Sequence, residues 1–334
     1  MSLILLTIIF IILFMFKKSE GLAQFQSAFK SKTDVKTVAI TGYSGMIGTK
    51  LKKELESSGV EVNRIVTNYP KNDYSPIDLT VLEGADAIIH LAGENVASGE
   101  GPFGFLGQWS DSKKEKILKS RVDGTAAIVD AMKTMKKKPK VFICASGVGY
   151  YGYNDQESIF TEKNGKGDGF LADVCEAWET EANRASSLGV RTANLRFGVV
   201  LSPLGGAVAK LFPLFFLGGG GVLGSGEQAF SWVTLKDAAR AINFVLNSSS
   251  LSGAVNVVAP NPCTNKEFTQ AFGSALGRPT VFPLPEVVGS ILFGQMGQEM
   301  LFGGQRAVPT KLEKAGFKFE SSDIITGVKA CLKE

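Results

Sequence analysis

Cysteine and histidine are scarce in this sequence. Its four cysteines, Cys144, Cys175, Cys263 and Cys331, lie far apart without a Cys-x-x-Cys pair. This spacing indicates neither a disulfide framework nor a cysteine zinc site. The single histidine, His90, lies in an apolar run and is interpreted as structural, which argues against a His-dependent catalytic triad. We therefore expect no metal centre.

A large excess of basic charge is also lacking. The 334 residues contain 36 Lys and Arg against 32 Asp and Glu, a net charge of +4, of which residues 1–36 carry +3. Because nucleic-acid affinity comes largely from neutralised phosphates, the nearly neutral remainder excludes nucleic acid as a partner. The composition, with 44% hydrophobic residues, is otherwise that of a folded globular protein. The length allows at most about two domains.

The long hydrophobic run lies at the N-terminus. Residues 3–16 are apolar except for Thr7 and are followed by two lysines. A helix of this length spans only ~21 Å, short of the ~30 Å hydrocarbon core of a bilayer. We interpret residues 1–16 as a hydrophobic membrane anchor or a removed targeting segment, and residues 17–35 as a polar tether. The lysines favour a membrane-associated protein with its body on the cytosolic or organelle-stromal side; removal of the segment would leave it soluble.

A glycine-rich motif follows the first predicted strand. The strand, Val35 to Ile40, leads into Thr41-Gly42-Tyr43-Ser44-Gly45-Met46-Ile47-Gly48 and then into a helical pattern. In a dinucleotide-binding fold, Gly42 permits the tight turn, Gly45 lets the backbone approach the pyrophosphate, and Gly48 allows the helix to pack closely on the strand. The helix N-terminus adds unpaired N–H groups and a positive dipole. The candidate cofactor contacts here are Gly42, Ser44, Gly45, Met46, Ile47 and Gly48.

The second predicted strand, Val60 to Thr67, lacks an acidic residue at its end. Asn68 follows the strand, with Lys71 nearby. Because a carboxylate at this place would bind the adenosine ribose and select NAD, NADP is favoured over NAD. Further candidate cofactor contacts are Asn68, the pair Asp78 and Leu79, and the residues Leu91, Ala92 and Gly93 at the end of the third predicted strand. The alternative for Gly93 is an ordinary strand-end turn.

Two further segments complete the first half of the predicted fold. A helix from Ser110 to Met135 carries Arg121, and a strand from Val141 leads into Ser146. Doubly wound folds hold their ligands at the carboxyl edge of the sheet, so Ser146 is a candidate site residue. The alternation of strands and helices predicts an α/β fold with a doubly wound parallel sheet over residues 36–200.

Residues 201–334 are predicted to form a small C-terminal α/β substrate region that is interleaved with the core. Strand and helix patterns alternate there from Phe230 to Leu276. The apolar stretch Ala207 to Leu217 is a pocket lid, a homodimer face or part of the core. The expected partner of this region is a small-molecule substrate.

Several short motifs occur in order along residues 36–332. They are Thr41-Gly42-x-x-Gly45-x-x-Gly48, Leu91-Ala92-Gly93-Glu94-Asn95, Lys119-Ser120-Arg121-Val122, Ser146-Gly147-Val148-Gly149-Tyr150-Tyr151-Gly152, Cys175-Glu176-Ala177-Trp178-Glu179, Leu195-Arg196-Phe197-Gly198-Val199-Val200-Leu201, Gly224-Ser225-Gly226-Glu227-Gln228-Ala229-Phe230-Ser231-Trp232, Val258-Ala259-Pro260-Asn261-Pro262 and Gly303-Gly304-Gln305-Arg306-Ala307-Val308-Pro309. Together they resemble the atypical short-chain dehydrogenase/reductases of the NAD-dependent epimerase/dehydratase type. The subgroup is nucleotide-sugar-epimerase-like and includes giant-chloroplast-type plastid-division proteins.

The resemblance implies a Rossmann-like NAD(P)-binding domain with a C-terminal extension. It also implies further cofactor contacts, at Arg121, Ala145, Ser146, Cys175, Gly198 and Val199. The wider superfamily uses Ser, Tyr and Lys, with Tyr-x-x-x-Lys on one helix, where Tyr supplies the proton and Lys lowers its pKa. Alignment on Glu179 puts Leu171 at the Tyr position and Cys175 at the Lys position. Only Ser146 remains of the set, and Arg121 stands where those enzymes carry Asn.

Two features would supply chemistry in place of the missing pair. A guanidinium at Arg121 would lower the pKa of the Cys175 thiol, although the helical spacing of Cys175 favours a small core residue. Tyr150 and Tyr151 follow Ser146 closely, and one of them would replace the proton donor unless both line the substrate pocket. We predict Tyr151 as the donor or substrate contact. The catalytic candidates are Ser146, Tyr151, Cys175 and Arg121.

Two functions follow as hypotheses. The first is an NAD(P)-dependent oxidoreductase or epimerase acting on a small molecule, with nucleotide sugars as one substrate class. The second is a catalytically silent NAD(P)-binding sensor or scaffold at a membrane. The retained Ser146 and Arg121 and the full substrate region favour the enzyme, whereas the missing Tyr–Lys pair and the N-terminal hydrophobic segment favour the sensor.

Overall fold

The computed structural model describes residues 35–66, 77–98, 108–153 and 157–334. The predicted anchor, almost all of the tether, and Asn68 lie outside these ranges. Within them, no helix combines the length and the apolar composition that a membrane crossing requires.

The first half of the chain alternates strands and helices. Its elements are β1 (Thr37–Thr41), α1 (Met46–Ser57), β2 (Glu61–Arg64), α2 (Leu79–Leu82), β3 (Ala87–His90), α3 (Asp111–Thr134), β4 (Val141–Gly147), a 3₁₀ turn (Val148–Tyr151), β5 (Ile159–Phe160), α4 (Phe170–Asn183), a second 3₁₀ turn (Arg184–Leu188) and β6 (Arg191–Phe197). The predicted long helix is confirmed: α3 starts after Ser110, whose side chain accepts a hydrogen bond from Lys113 N at 3.0 Å. That bond is a standard N-cap.

The second half adds shorter elements. They are β7 (Val199–Leu201), α5 (Gly206–Phe216), β8 (Ala229–Phe230), β9 (Trp232–Thr234), α6 (Leu235–Asn247), β10 (Gly253–Val257), β11 (Cys263–Thr264), α7 (Asn265–Leu276), α8 (Glu286–Gly297), a π-helical turn (Gln298–Phe302), β12 (Arg306–Ala307), α9 (Thr310–Lys314) and α10 (Ile324–Cys331). A capping box at Thr264 and Glu267 starts α7.

Six parallel strands form the central sheet, in the order β10-β6-β4-β3-β1-β2. Helices α1 and α6 cover one face, where Leu51, Leu55, Ile242 and Val245 are buried against the strands. Helices α3 and α4 cover the other face. The doubly wound, Rossmann-like parallel sheet predicted from the sequence is therefore confirmed. The strand order reverses between β1 and β3, and such a switch point is where these folds bind ligands.

The C-terminal region has an apolar cluster of its own. Trp232, Phe215, Phe268 and Phe272 are buried there against α10. Helix α5 contributes only one side to this cluster, since Leu214, Phe216 and the following Leu217 are exposed. Strand β10 belongs to the second half of the sequence but pairs with β6 in the central sheet.

Candidate functional site

The glycine motif forms a tight turn between β1 and α1. Gly42 has a φ of +67°, and a Cβ there would lie 2.9 Å from the backbone carbon of Leu91. A Cβ on Gly48 would lie 2.2 Å from the Gly42 carbonyl oxygen, and Gly45 N donates to that same oxygen at 2.9 Å. Side chains at Gly42 and Gly48 would therefore break the turn. The positive φ of Gly42 fits the tight turn predicted there, and Gly48 keeps α1 close to the backbone of that turn.

The N-terminus of α1 lies directly after this turn. Gly45 is the N-cap residue and no side chain caps the helix. Ser44 and Gly45 are exposed, whereas Met46 is half-buried and lies against Gly205. Free amides at a helix N-terminus bind anionic groups. The free amides of α1 therefore fit the diphosphate of a dinucleotide. The glycines of the turn leave the space for it, which side chains at these positions would occupy.

Thr41 joins the ends of β1 and β3 beside the turn. Its Oγ1 accepts hydrogen bonds from Leu91 N at 3.1 Å and Ala92 N at 3.2 Å, and lies 2.6 Å from His90 Nδ1. The hydroxyl has one proton and directs it to Nδ1, so the His90 hydrogen is assigned to Nε2. Burial, with the nearby charge of Arg121, lowers the pKa of His90 to about 3. His90 is neutral and structural, as predicted.

Arg121 lies directly beside Gly93 at the end of β3. A Cβ on Gly93 would lie 3.2 Å from Arg121 Cζ. The guanidinium donates to the Glu94 carbonyl at 3.1 Å and lies 4.9 Å from the ring centroid of Trp178. A glycine at position 93 thus lets a fixed cation approach the switch point of the sheet.

Ser146 belongs to a buried polar cluster formed with Glu179 and Arg196. Ser146 and Arg196 are paired neighbours on β4 and β6. Ser146 Oγ donates to Glu179 Oε1 at 2.7 Å, and Arg196 donates to the same carboxylate through Nε at 2.7 Å and Nη2 at 2.8 Å. Since a carboxylate only accepts, the proton of Ser146 points at Glu179 and the lone pairs of Oγ are left as acceptors.

The ion pair keeps Arg196 charged within the protein. Burial lowers the pKa of Arg196, but the hydrogen bonds and the charge of Glu179 outweigh burial and raise this pKa above its usual value. Two parallel contacts to one carboxylate also fix the plane of the guanidinium.

The predicted Cys175 thiolate is wrong. Cys175 is on α4 and close to Ser146, with its Sγ 3.8 Å from the position of a Cβ on Gly147. Burial raises the pKa of the Cys175 thiol, and the charge of Arg121 offsets only part of that rise. A buried thiol with a raised pKa remains protonated and is a poor nucleophile, so the alternative of a small core residue holds.

The contacts of Tyr151 contradict its predicted role as proton donor. Its hydroxyl donates to Asn256 Oδ1 at 2.7 Å and accepts from Arg196 Nη1 at 3.1 Å. The residue is only 3% exposed, its ring stacks on Phe160, and burial raises the pKa of its phenol. Because Asn256 accepts the hydrogen bond of this hydroxyl, the phenol does not offer its proton to a substrate.

The remaining predicted contacts lie on several different elements. Asp78 is exposed and accepts from Thr80 N at 2.9 Å and Thr80 Oγ1 at 2.6 Å, and these bonds lower the pKa of its carboxyl. Leu79 begins α2. Ala145 is on β4, and Gly198 follows β6, where a Cβ would lie 2.6 Å from the Ser231 carbonyl oxygen. Val199 N donates to that oxygen at 2.8 Å.

Sequence reasoning missed Glu179, Arg196 and Asn256 as members of the site. Each is at most 7% exposed, although Glu179 is on an otherwise apolar helix face and Arg196 is inside a strand. Charged residues are almost never fully buried unless paired. Two opposite charges within apolar patterns were therefore a signal for a buried pair.

Two family models match consecutive parts of the chain. The NAD dependent epimerase/dehydratase family matches residues 38–258. A domain of unknown function, DUF1731, matches residues 284–330. The first match contains the whole central sheet except for the first residue of β1, and the second starts just before α8.

Known proteins resemble the chain over most of its length. An epimerase family protein of Mycobacterium bovis is 40% identical over 299 residues, which are 86% of this chain and 94% of that protein. The crystal structure of human epimerase family protein SDR39U1 (isoform 2) with NADPH has a TM-score of 0.78 and 31% identity, and the match covers 89% and 99% of the two chains. A nucleoside-diphosphate sugar epimerase from Corynebacterium glutamicum has a TM-score of 0.71 and 31% identity, with 90% and 59% covered.

Proposed function

The chain belongs to the NAD dependent epimerase/dehydratase family and is an NAD(P)-binding protein, and from this premise we propose that it is an NADP(H)-dependent oxidoreductase or epimerase. The observation that carries the proposal is the glycine turn, in which a Cβ on Gly42 or Gly48 would meet backbone atoms at 2.9 Å or less. The turn leaves the uncapped amides of α1 open to a diphosphate.

NADP is the proposed form of the cofactor. The segment after β2 has no acidic residue up to Asn68, with Lys71 nearby, so no carboxylate there repels a 2′-phosphate. The human relative has been crystallised with NADPH. Bound cofactor supplies hydride transfer.

The chain's own residues bind and orient the other reactant. Ser146 Oγ acts as a hydrogen-bond acceptor for a substrate hydroxyl, because it donates its own hydrogen bond to Glu179. Arg121 presents a fixed positive charge beside Gly93, at the switch point where the reacting groups meet. We propose a nucleotide sugar as the substrate class, in line with the name of the Corynebacterium relative.

A titration with NADPH and NADH tests the cofactor proposal. The purified chain should quench and shift NADPH fluorescence at lower concentration than NADH. A Gly45→Val variant adds bulk where only the Gly42 oxygen is near, at 3.1 Å from the new Cβ, and should weaken NADPH binding by about tenfold or more, roughly 1.4 kcal/mol.

Gly165→Val is the matched control for this titration. Gly165 is exposed, and no atom lies within 4 Å of a Cβ there. The control should bind NADPH like the wild type. Equal affinity in the Gly45→Val variant contradicts the proposed diphosphate site. If the chain binds NADPH but transfers hydride to no carbonyl or sugar nucleotide tested, the proposed enzyme activity is contradicted and a nucleotide sensor is favoured.

A further inference from the structure

Tyr150 has a hydroxyl that the described part of the chain leaves without a hydrogen bond. It lies on the 3₁₀ turn Val148–Tyr151, which directly follows β4 and Ser146. No hydrogen bond among the described residues involves the Tyr150 hydroxyl, and the residue is half-buried. Its neighbour Tyr151 is buried and makes two such bonds. Of the two phenols, only that of Tyr150 is available to a ligand.

The ring of Tyr150 is held in place by the buried ion pair. Arg196 Cζ lies 3.4 Å from the ring centroid, and the Tyr151 ring packs against it edge-on at 5.6 Å. Arg196 is itself fixed by Glu179, which also accepts a hydrogen bond from Ser146 Oγ. A guanidinium against the face of an aromatic ring is a cation–π contact, which fixes the position of the ring. One ion pair thus orients both Ser146 and Tyr150.

The turn that carries Tyr150 lies against the part of α4 where the superfamily tyrosine and lysine are replaced. A Cβ on Gly149 would lie 3.2 Å from Leu171 Cβ, and one on Gly147 would lie 3.8 Å from Cys175 Sγ. Tyr150 therefore follows β4 at the carboxyl edge of the sheet, with its ring on Arg196, and its turn faces the two replaced positions on α4. Resting on the function proposed above, we propose that Tyr150 is the proton donor to the substrate, in place of the tyrosine missing at position 171.

The proposed step balances as a carbonyl reduction with NADPH as the reductant. The substrate carbonyl carbon gains a hydride from NADPH, which becomes NADP⁺. The carbonyl oxygen takes the proton of Tyr150 Oη as the C=O π bond becomes a C–O single bond. The Tyr150 phenolate then takes a proton from water. In the reverse direction the phenolate removes the proton of a substrate alcohol.

The experiment compares two phenol deletions in the full chain. Wild type, Tyr150→Phe and Tyr153→Phe are each assayed for NADPH binding by fluorescence and for NADPH oxidation with 9,10-phenanthrenequinone, diacetyl and UDP-4-keto sugars. Tyr153 is the matched control, since it follows the turn and packs against Gly169 and Gly303. We expect Tyr150→Phe to lose about 100-fold or more in kcat, the usual contribution of a general acid. Its Kd for NADPH should stay within about twofold of the wild type.

Each outcome decides between the two proposals. Tyr150→Phe activity close to that of the wild type overturns the role of Tyr150 and leaves the proposed function intact. Wild-type protein that binds NADPH but reduces none of the probes overturns the proton-transfer step, and failure to bind NADPH overturns the proposed function itself.

A second variant covers the case in which Tyr150→Phe does not fold. Incorporation of 3-fluorotyrosine at position 150 keeps the shape of the ring and makes the phenol more acidic. The alkaline limb of the pH–rate profile should move to lower pH if Tyr150 donates the proton. An unmoved limb contradicts the proposal.

Discussion

At the scale of single residues, the carboxylate of Glu179 determines the directions of the hydrogen bonds in the candidate site. One carboxylate accepts from Ser146 and twice from Arg196, and all three residues are buried. Its removal would leave a guanidinium charge in the protein interior without a partner. Breaking a buried pair in this way costs more than the pair itself contributes, because the remaining ion keeps its desolvation penalty.

We therefore expect Glu179→Gln to lower the free energy of unfolding by about 3 kcal/mol, measured by equilibrium urea unfolding. Glu181→Gln is the matched control on the same helix. Glu181 pairs with Arg184, and these side chains are 24% and 34% exposed, so its loss should cost about 0–1 kcal/mol. Similar losses of unfolding free energy in the two variants would show that the buried pair stabilises the protein no more than the more exposed pair does.

Ser146 and Arg121 could be selected from the sequence because strand ends and motif positions are local features. The error at Tyr151 has a different origin. Its hydroxyl is occupied by Asn256, 105 residues further along the chain. No local pattern distinguishes Tyr150 from Tyr151, because the turn and the side-chain directions depend on which distant strand packs beneath them.

The order of strand, glycine turn and helix was predictable at the scale of elements, since its signals lie within about fifteen residues. The start of α4 was not. Its N-cap residue, Gly169, has no side chain to cap the helix. Glu299, from the π-helical turn, instead accepts from Phe170 N and Leu171 N, both at 2.9 Å. A carboxylate at a helix N-terminus satisfies free amides and opposes the helix dipole.

Replacing this cap should loosen the beginning of α4. We expect Glu299→Gln to cost about 1 kcal/mol and to speed amide hydrogen exchange at residues 170–173, as measured by mass spectrometry. Glu286→Gln makes the same change at an exposed position of α8 and should alter neither quantity. Unchanged exchange at 170–173 in Glu299→Gln would mean that another group caps the helix.

At the scale of the whole molecule, the folded body has both faces of its parallel sheet covered by helices, as such sheets require. Apolar periodicity and the glycine turn predicted this sheet from the sequence, because both are local patterns. The short apolar run at residues 3–16 carries two alternative predictions, a membrane anchor and a removed targeting segment.

Fractionation of cells that express the full chain with a C-terminal tag separates these alternatives. We expect the protein in the membrane pellet with its N-terminus intact by mass spectrometry. Charges in the apolar run, as in Ile9→Lys with Ile12→Lys, should release it to the supernatant, since each lysine costs about 3 kcal/mol within a bilayer. A supernatant protein with an intact N-terminus contradicts the anchor, whereas one that starts beyond residue 16 identifies a removed targeting segment.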